Sequence, residues 1–527
     1  MISHRKGTLR RVPRRAFVAV GLAGALALSA VGCGFGGEEA DDGRSGTATR
    51  PAGSGGTPDS GPPWTVAPGH TGIQAAAGTV QLVGSTAQGE DLSYRTFRQL
   101  QTNGANSKGQ NDALLDAKTL RVLKPWPLQS NSGRVAIPRP EGEVALSLAW
   151  PSSQGYSNLI LDLPGPGTYD FHELAAEQTA ASTAARLTAR KGHTLSEPAA
   201  QAVAESTRAV AAFRELGEGT RARAVAAARA WDAAASASRA VDIDLGRSFD
   251  GVAGGSAPWG FTLTDLRPGH PDVRSVADLA ATTGRRAAVR MVFDLERGAD
   301  TYADKVATAK RDGLIVVGQI LDSVDMAHVD MNRWQARVAE FVGTLPDVEV
   351  WEIGNEVNGD WLGEGIADKV DYAARYVKEH SSARTMLTLL WELGESDPET
   401  SMFTWLEANL PPERREPIDE VGLSVYPDVH PLGVSLNRVV TTVHREFPNQ
   451  RVSITELGYR IAKNPNTWWS GSRDTAQARA KEAEFYGLAI RGYPYSAGGP
   501  YWWNFTQEAP KDSPLWGTFR DLMSSAR

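Results

Sequence analysis

Cysteine is all but missing. Cys33 stands alone among 527 residues, which excludes any intramolecular disulfide. Histidine is scarce as well: there are nine, and no pair has the helix spacing of zinc ligands, so the chain does not read as a zinc hydrolase. Positive charge is in the minority, 55 Lys and Arg against 62 Asp and Glu, for a formal net charge of −7. Such a balance suits neither phosphate backbones nor anionic lipid, and nucleic acid is excluded as a partner. Long apolar runs are confined to Ala16 to Val31, sixteen residues and somewhat short for a membrane span.

What is present begins with that run. The preceding Met1 to Arg15 carries six Lys/Arg and no acid, so basic and apolar segments follow each other as in an export signal. Arg14-Arg15-Ala16-Phe17-Val18 resembles the twin-arginine type, whose passengers cross the membrane folded. Ser29-Ala30-Val31-Gly32-Cys33 resembles a bacterial lipoprotein processing site. These resemblances imply lipidation at Cys33 and a protein exported and lipid-anchored to the outer face of the bacterial cytoplasmic membrane. Contact with the membrane would be through that anchor only. An uncleaved membrane anchor is the alternative. Loss of residues 1–33, with their six positive charges, would take the net charge from −7 to −13. Residues 34–72, rich in Gly, Ser, Thr, Pro and Asp, read as a disordered linker with a reach of roughly 35 Å.

From residue 73 the pattern becomes globular. Residues 73–172 hold short strand candidates (Val80 to Val83, Val135 to Ile137, Val144 to Trp150, Asn158 to Leu163) divided by Pro/Gly/Ser clusters, the pattern of a small antiparallel β-rich domain. Tyr156 to Phe171 is expected to form one hairpin. Residues 173–240 hold three Ala-rich helical stretches with no chemistry of their own, Val203, Val210, Phe213 and Leu216 marking the packing side of the second. Residues 250–527 alternate apolar runs with helical stretches eight times. The runs start at Trp259, Ala287, Leu314, Val348, Met386, Val421, Val452 and Pro500. Eight strand-helix units in 269 residues predict a (β/α)8 TIM barrel. A doubly wound open sheet is the alternative, but no Gly-rich phosphate loop follows the first strand.

Barrels of this kind carry their sites at the C-terminal strand ends. Those ends supply Arg290 and Asp294, Gln319 and Asp322, Asn355 and Glu356, Trp391 and Glu392, Tyr426, Glu456, and finally Trp502, Trp503 and Asn504. Carboxylates, amides, an arginine and aromatic platforms make up the usual equipment for sugar chemistry. Eleven of the 15 tryptophans fall in 259–527, where apolar sugar faces would need stacking surfaces, and Trp361, Trp468 and Trp469 lie in the loops after strands four and seven. Glu352 reads as a barrel-interior ion pair. The acidic loop Asp322, Asp325, His328, Asp330 reads as a polar subsite wall, since its spacing matches no metal loop.

Gly354-Asn355-Glu356, Tyr426-Pro427, Thr455-Glu456 and Trp503 together resemble the clan A glycoside hydrolases, retaining enzymes built on this barrel. The resemblance covers only the C-terminal half or so. It implies Glu356 as general acid/base, Glu456 as nucleophile, and Asn355 on the substrate 2-hydroxyl. Tyr426 would hydrogen-bond Glu456, Arg290 would support it electrostatically, and Trp503 would floor the subsite. Apart from the resemblance, Trp391 at its strand end and Trp361 in its loop read as further substrate contacts, packing of the loop being the alternative for Trp361. The resemblance also implies a carbohydrate substrate, β-linked and cleaved by double displacement, no cofactor or metal, and a monomer. Two readings of other classes stand beside it: a catalytically inactive cell-surface lipoprotein that binds carbohydrate, and the solute-binding lipoprotein of a transporter, which would need two similar α/β lobes.

Overall fold

In a computed structural model, residues 74–101, 112–248, 257–266, 273–393, 398–459 and 475–525 are described. The signal with Cys33, the linker 34–72, and Trp468 and Trp469 lie outside them. Among the described residues no helix is long and apolar enough to cross a membrane.

The C-terminal region is a closed eight-stranded parallel barrel. Its strands are β1 (Trp259–Leu263), β2 (Ala287–Val292), β3 (Ile315–Gln319), β4 (Val350–Gly354), β5 (Arg384–Leu390), β6 (Glu420–Val425), β7 (Arg451–Leu457) and β8 (Tyr501–Trp502). Each pairs with the next, and β8 closes the ring by pairing with both β7 and β1. The runs read from sequence match these strands closely because a parallel strand buried on both faces is apolar along its length. The eighth differs. Ser496–Gly498 pairs with β7 ahead of β8, and the expected strand end at Phe505 is instead the first residue of a short helix, Phe505–Glu508. Asn504 has a left-handed backbone (φ 50°) there, which turns the chain away from the sheet.

The barrel interior is layered. Ala288, Ile315, Val317, Val350, Met386 and Tyr501 form an apolar plug low in the ring. Above it Arg290, Glu352, Thr388 and Thr455 make a buried polar layer, linked by Thr388 Oγ1 to Glu352 and, at 2.8 Å, to Thr455. Side chains two apart on a strand share a face, so this order follows from the sequence alternation.

The N-terminal region consists of two packed sheets and three helices. One sheet runs Gln74–Ala75, Gly142–Ser152, Ala113–Asp116, Val122–Pro125, with Gly155–Asp162 on the other side of Gly142–Ser152. The other runs Gln129–Asn131, Arg134–Arg139, Gly78–Val83, Gly167–Asp170, its last pair parallel. The hairpin expected over Tyr156 to Phe171 does not form. The hairpin is instead Gly142–Ser152 with Gly155–Asp162, and Pro164 to Pro166 carries the chain across to the second sheet. The Ala-rich stretches form helices Phe171–Ala189, Glu197–Arg214 and Arg221–Ser248, the last running to Ser248 rather than ending within 173–240.

One face of the first sheet closes the sandwich with Leu114, Leu146 and Leu161; the other face, with Leu115, Ala145 and Ile160, joins the barrel core. The union is specific. Arg438, on the barrel helix Leu436–Glu446, bonds the carbonyls of Ile160 (3.0 Å) and Ala117 (2.7 Å) and the Asp162 carboxylate at 2.7 Å. Gly246 lies so close to the barrel helix Thr475–Ala489 that a Cβ there would fall 1.9 Å from the Leu488 carbonyl oxygen.

Candidate active site

Arg290 is the hub. It projects from β2 with no exposed surface and forks onto Glu352, 2.7 Å from Nε and 3.0 Å from Nη2. The same guanidinium donates to Glu456 (3.1 Å) and to the Asn355 side-chain oxygen (3.1 Å). Burial opposes its charge, but the Glu352 and Glu456 carboxylates outweigh that and raise its pKa. Planar two-pronged pairing of this kind fixes orientation as well as charge. Glu352 is therefore the interior ion-pair partner expected of it, and its own position is held by Thr388.

The two glutamates arrive at the mouth through irregularities in their strands. The β6–β7 register slips so that Leu423 pairs with Ile454 but Ser424 pairs with Glu456, leaving Thr455 as an extra residue. Thr455 and Glu456 can then both face inward, as their contacts with Thr388, Arg290 and Tyr426 show. A matching slip separates Glu352 from Gly354 on β4. Two residues later Glu356 takes a left-handed backbone (φ 50°), uncommon for a residue with a side chain and a form of strain that collects at functional positions.

Glu456 accepts from the Tyr426 hydroxyl and from Arg290. Tyr426 has room because Gly458 lacks a side chain: a Cβ there would approach the tyrosine ring to 2.7 Å. Glu356 is held by hydroxyls, Ser424 Oγ at 2.7 Å and Ser323 Oγ at 3.2 Å. Ser424 touches Glu356 while pairing in register with Glu456 on the next strand. Burial pushes Glu356 above the usual carboxylate range. Glu456 is pushed up to about 8, by burial first and then by repulsion from Glu356, with Arg290 and Tyr426 pulling back down. Two carboxyls that repel each other in this way titrate as a unit, a proton on one favouring the charge on the other.

Trp503 follows β8, its backbone N–H on the Leu457 carbonyl (2.7 Å) and its ring 5.5 Å from the Arg290 guanidinium. The structure thus gathers Glu356, Glu456, Asn355, Arg290, Tyr426 and Trp503 into one cluster. Trp391 and Trp361 are not in it. Trp391 is buried to 3% in the barrel core, with no broad face for a ligand, and Trp361 folds against Gly359 at the edge of that core. In the acidic loop Asp330 caps the helix Met331–Thr344 and Asp322 caps the turn Ser323–His328. Among the described residues no group of His, Cys, Asp and Glu has the arrangement of a metal site.

Sequence reasoning missed Ser424, although it lies two residues before Tyr426 and so on the same strand face. Ser323 sits in a turn, where no periodicity marks its direction.

No family model matches the chain, and no curated protein matches it. Its fold is similar to several solved glycosidases. One is a GH10 xylanase from Bispora sp. MEY-1 solved with xylobiose, at 13% identity and a TM-score of 0.36, over 51% of this chain and 97% of that one. Another is the family 1 β-glucosidase of Thermotoga maritima, at 13% and 0.35, over 53% and 99%. A third is the FMN-binding β-glucuronidase of Facaelibacterium prausnitzii L2-6, at 13% and 0.34, over 48% of this chain; this chain spans 38% of that enzyme's length.

Proposed function

We propose that the chain is a retaining glycoside hydrolase acting on β-linked sugars, with Glu456 as nucleophile and Glu356 as general acid/base. The observation that carries this reading is the pair itself. Two carboxyls, Glu456 buried and Glu356 half-buried, meet at one barrel mouth, and they have unlike partners, a cation and a phenol for Glu456 against two hydroxyls for Glu356. Serine hydroxyls can accept from a protonated carboxyl as well as donate to an ionised one. A guanidinium serves only the anion, so the shared proton belongs on Glu356 when substrate is bound. Glu356 is near enough to Glu456 to repel its charge, and a retaining mechanism calls for a separation of roughly 5–5.5 Å.

In the first step a Glu456 oxygen attacks the anomeric carbon as Glu356 gives its proton to the glycosidic oxygen. The aglycone leaves as an alcohol and a glycosyl ester remains. In the second step Glu356, now a carboxylate, takes a proton from water, whose oxygen displaces Glu456 from the same carbon. The sugar leaves with its configuration retained. Asn355, positioned by Arg290, is the donor for the 2-hydroxyl, and Trp503 is the floor of the subsite. We extend to the whole chain the export and lipid anchoring implied by residues 1–33, which would hold this enzyme at the cell surface.

Glu356→Ala tests the assignment. On aryl glycosides, whose leaving groups need no proton, the variant should keep most first-step activity; on natural β-linked oligosaccharides it should fall by about 100-fold or more, a factor of about 100 being the lower end of the range for general acid catalysis. Equal losses on both would remove Glu356 from the acid role.

A further inference from the structure

Among the described residues five large apolar side chains are strongly exposed: Leu123 (50%), Trp126 (51%), Leu216 (37%), Val324 (50%) and Val429 (36%). Their placement is uneven. Val324 lies in the turn after β3 and Val429 in the loop after β6, both at the mouth of the barrel. Leu123 and Trp126 belong to the N-terminal region, yet they reach the same end of the molecule. Their strand, Val122–Pro125, is an edge of its sheet and packs against the short turn Pro398–Thr400, in the loop leaving the top of β5. Val122 N–H bonds Thr404 Oγ1 at 3.2 Å in the helix after that turn. The turn is in turn fastened to the acid's loop: Asn358, two residues past Glu356, donates to the Thr400 carbonyl at 2.7 Å. A short bonded path therefore runs from Glu356 to the exposed indole.

Trp126 sits between Pro125 and Pro127 with a left-handed backbone (φ 47°), its N–H on the Asp112 carbonyl at 2.9 Å. Prolines on both sides limit the ways this segment can bend. Close by in the sequence, Lys124, Gln129, Ser130 and Asn131 are exposed and carry hydrogen-bonding groups. An exposed indole in a segment with amides, a hydroxyl and an ammonium suits a pyranose, which has a C–H face to remove from water and hydroxyls around its edge. Two apolar side chains fall well short of the roughly 1,000 Å² that a stable protein interface covers. Pairing with the edge strand of a second copy is opposed at Val122, whose N–H is already engaged by Thr404.

We propose that Leu123 and Trp126 form a platform that extends the substrate track beyond the barrel mouth and takes pyranose units of a β-linked glycan chain. This rests on the glycosidase reading of Glu356 and Glu456. It gives the N-terminal region a task in the reaction and makes the substrate a polymer rather than a short glycoside.

Electrophoresis through native gels containing soluble xylan, glucomannan or mixed-linkage β-glucan tests this, with Glu456→Gln as the parent so that the gel is not digested. The parent should be retarded by one of these polymers. Adding Trp126→Ala should weaken that retardation about tenfold, and Trp126→Tyr should largely restore it, all three variants unfolding in the same cooperative transition. Equal retardation of the Ala variant and the parent would overturn the platform, as would a parent that none of the polymers retards. A mobility change already present in polymer-free gels would assign the patch to contact between copies and overturn it too. Failure of the wild-type chain to hydrolyse any of the three, with Trp126-dependent retardation intact, would count against the hydrolase reading and leave the platform standing.

Discussion

Glu356 occupies a backbone conformation that few residues with side chains adopt, and it is kept there by the hydroxyls of Ser424 and Ser323. Both contacts lower the pKa of a carboxyl that burial raises. Replacing Ser424 with alanine removes the 2.7 Å bond, so the pKa of Glu356 should rise further. The alkaline limb of the pH–rate profile, where the shared proton is lost, should then move to higher pH. An unmoved limb, with only kcat reduced, would make Ser424 a packing residue. At this scale the sequence was legible wherever a side chain ends a strand in a run of fixed period: Glu356, Glu456, Arg290, Tyr426 and Trp503 all meet. Trp391 and Trp361 fall outside the cluster because a tryptophan near a strand end can equally fill the space between strand and helix, and local pattern does not separate the two.

The elements were legible for the reason that governs buried parallel strands: apolar residues on both faces give a nearly continuous run, as in Ala287–Val292, interrupted by Arg290, and Ile315–Gln319, apolar up to its closing Gln319. The slips in β4 and β7 were not legible, since an extra residue in a strand leaves composition and length unchanged. The false hairpin over 156–171 has a similar origin. Pro164-Gly165-Pro166-Gly167 reads as a turn, but whether a chain turns back into its own sheet or crosses to another depends on packing elsewhere. That packing includes the edge of Gly155–Asp162 docked on the barrel through Arg438. The Arg438–Asp162 pair is almost fully buried, 7% exposed on each side chain. Arg438→Ala would remove the guanidinium that Asp162 and two carbonyls share and should cost about 3–5 kcal/mol of stability, the usual scale for breaking a buried pair. Urea titration measures it; a loss under about 1 kcal/mol, typical of a surface pair, would contradict the docking role.

For the molecule as a whole, the barrel and the helices before it were foreseeable from length and periodicity, whereas their fusion was not. Leu115, Ala145 and Ile160 lie in strands whose second face joins the barrel core, and a strand apolar on both faces says nothing about which neighbour covers it. The carboxyl pair also has a global consequence. Glu456, titrating together with Glu356, is raised to about 8 in the fold against 4.5 for a free glutamate, so between those values the folded pair keeps a proton that the unfolded chain has lost. Its contribution is fully present below about 4.5 and is lost as pH rises through about 8. Glu456→Gln removes this dependence. Its Tm should match the wild type near pH 4.5 and exceed it increasingly toward pH 8; a constant offset across that window would mean that Glu456 titrates normally in the folded chain.

The covalent intermediate is where the proposal is most exposed. Incubation with a 2-deoxy-2-fluoro glycoside bearing a dinitrophenyl leaving group, followed by peptide mass spectrometry, reads it directly. A single fluoroglycosyl adduct on Glu456, absent from Glu456→Gln and formed with one equivalent of dinitrophenol, is the predicted result. Turnover of natural β-linked substrate with an adduct on another residue, or with inverted anomeric configuration in the product, would contradict the assignment of Glu456 as nucleophile.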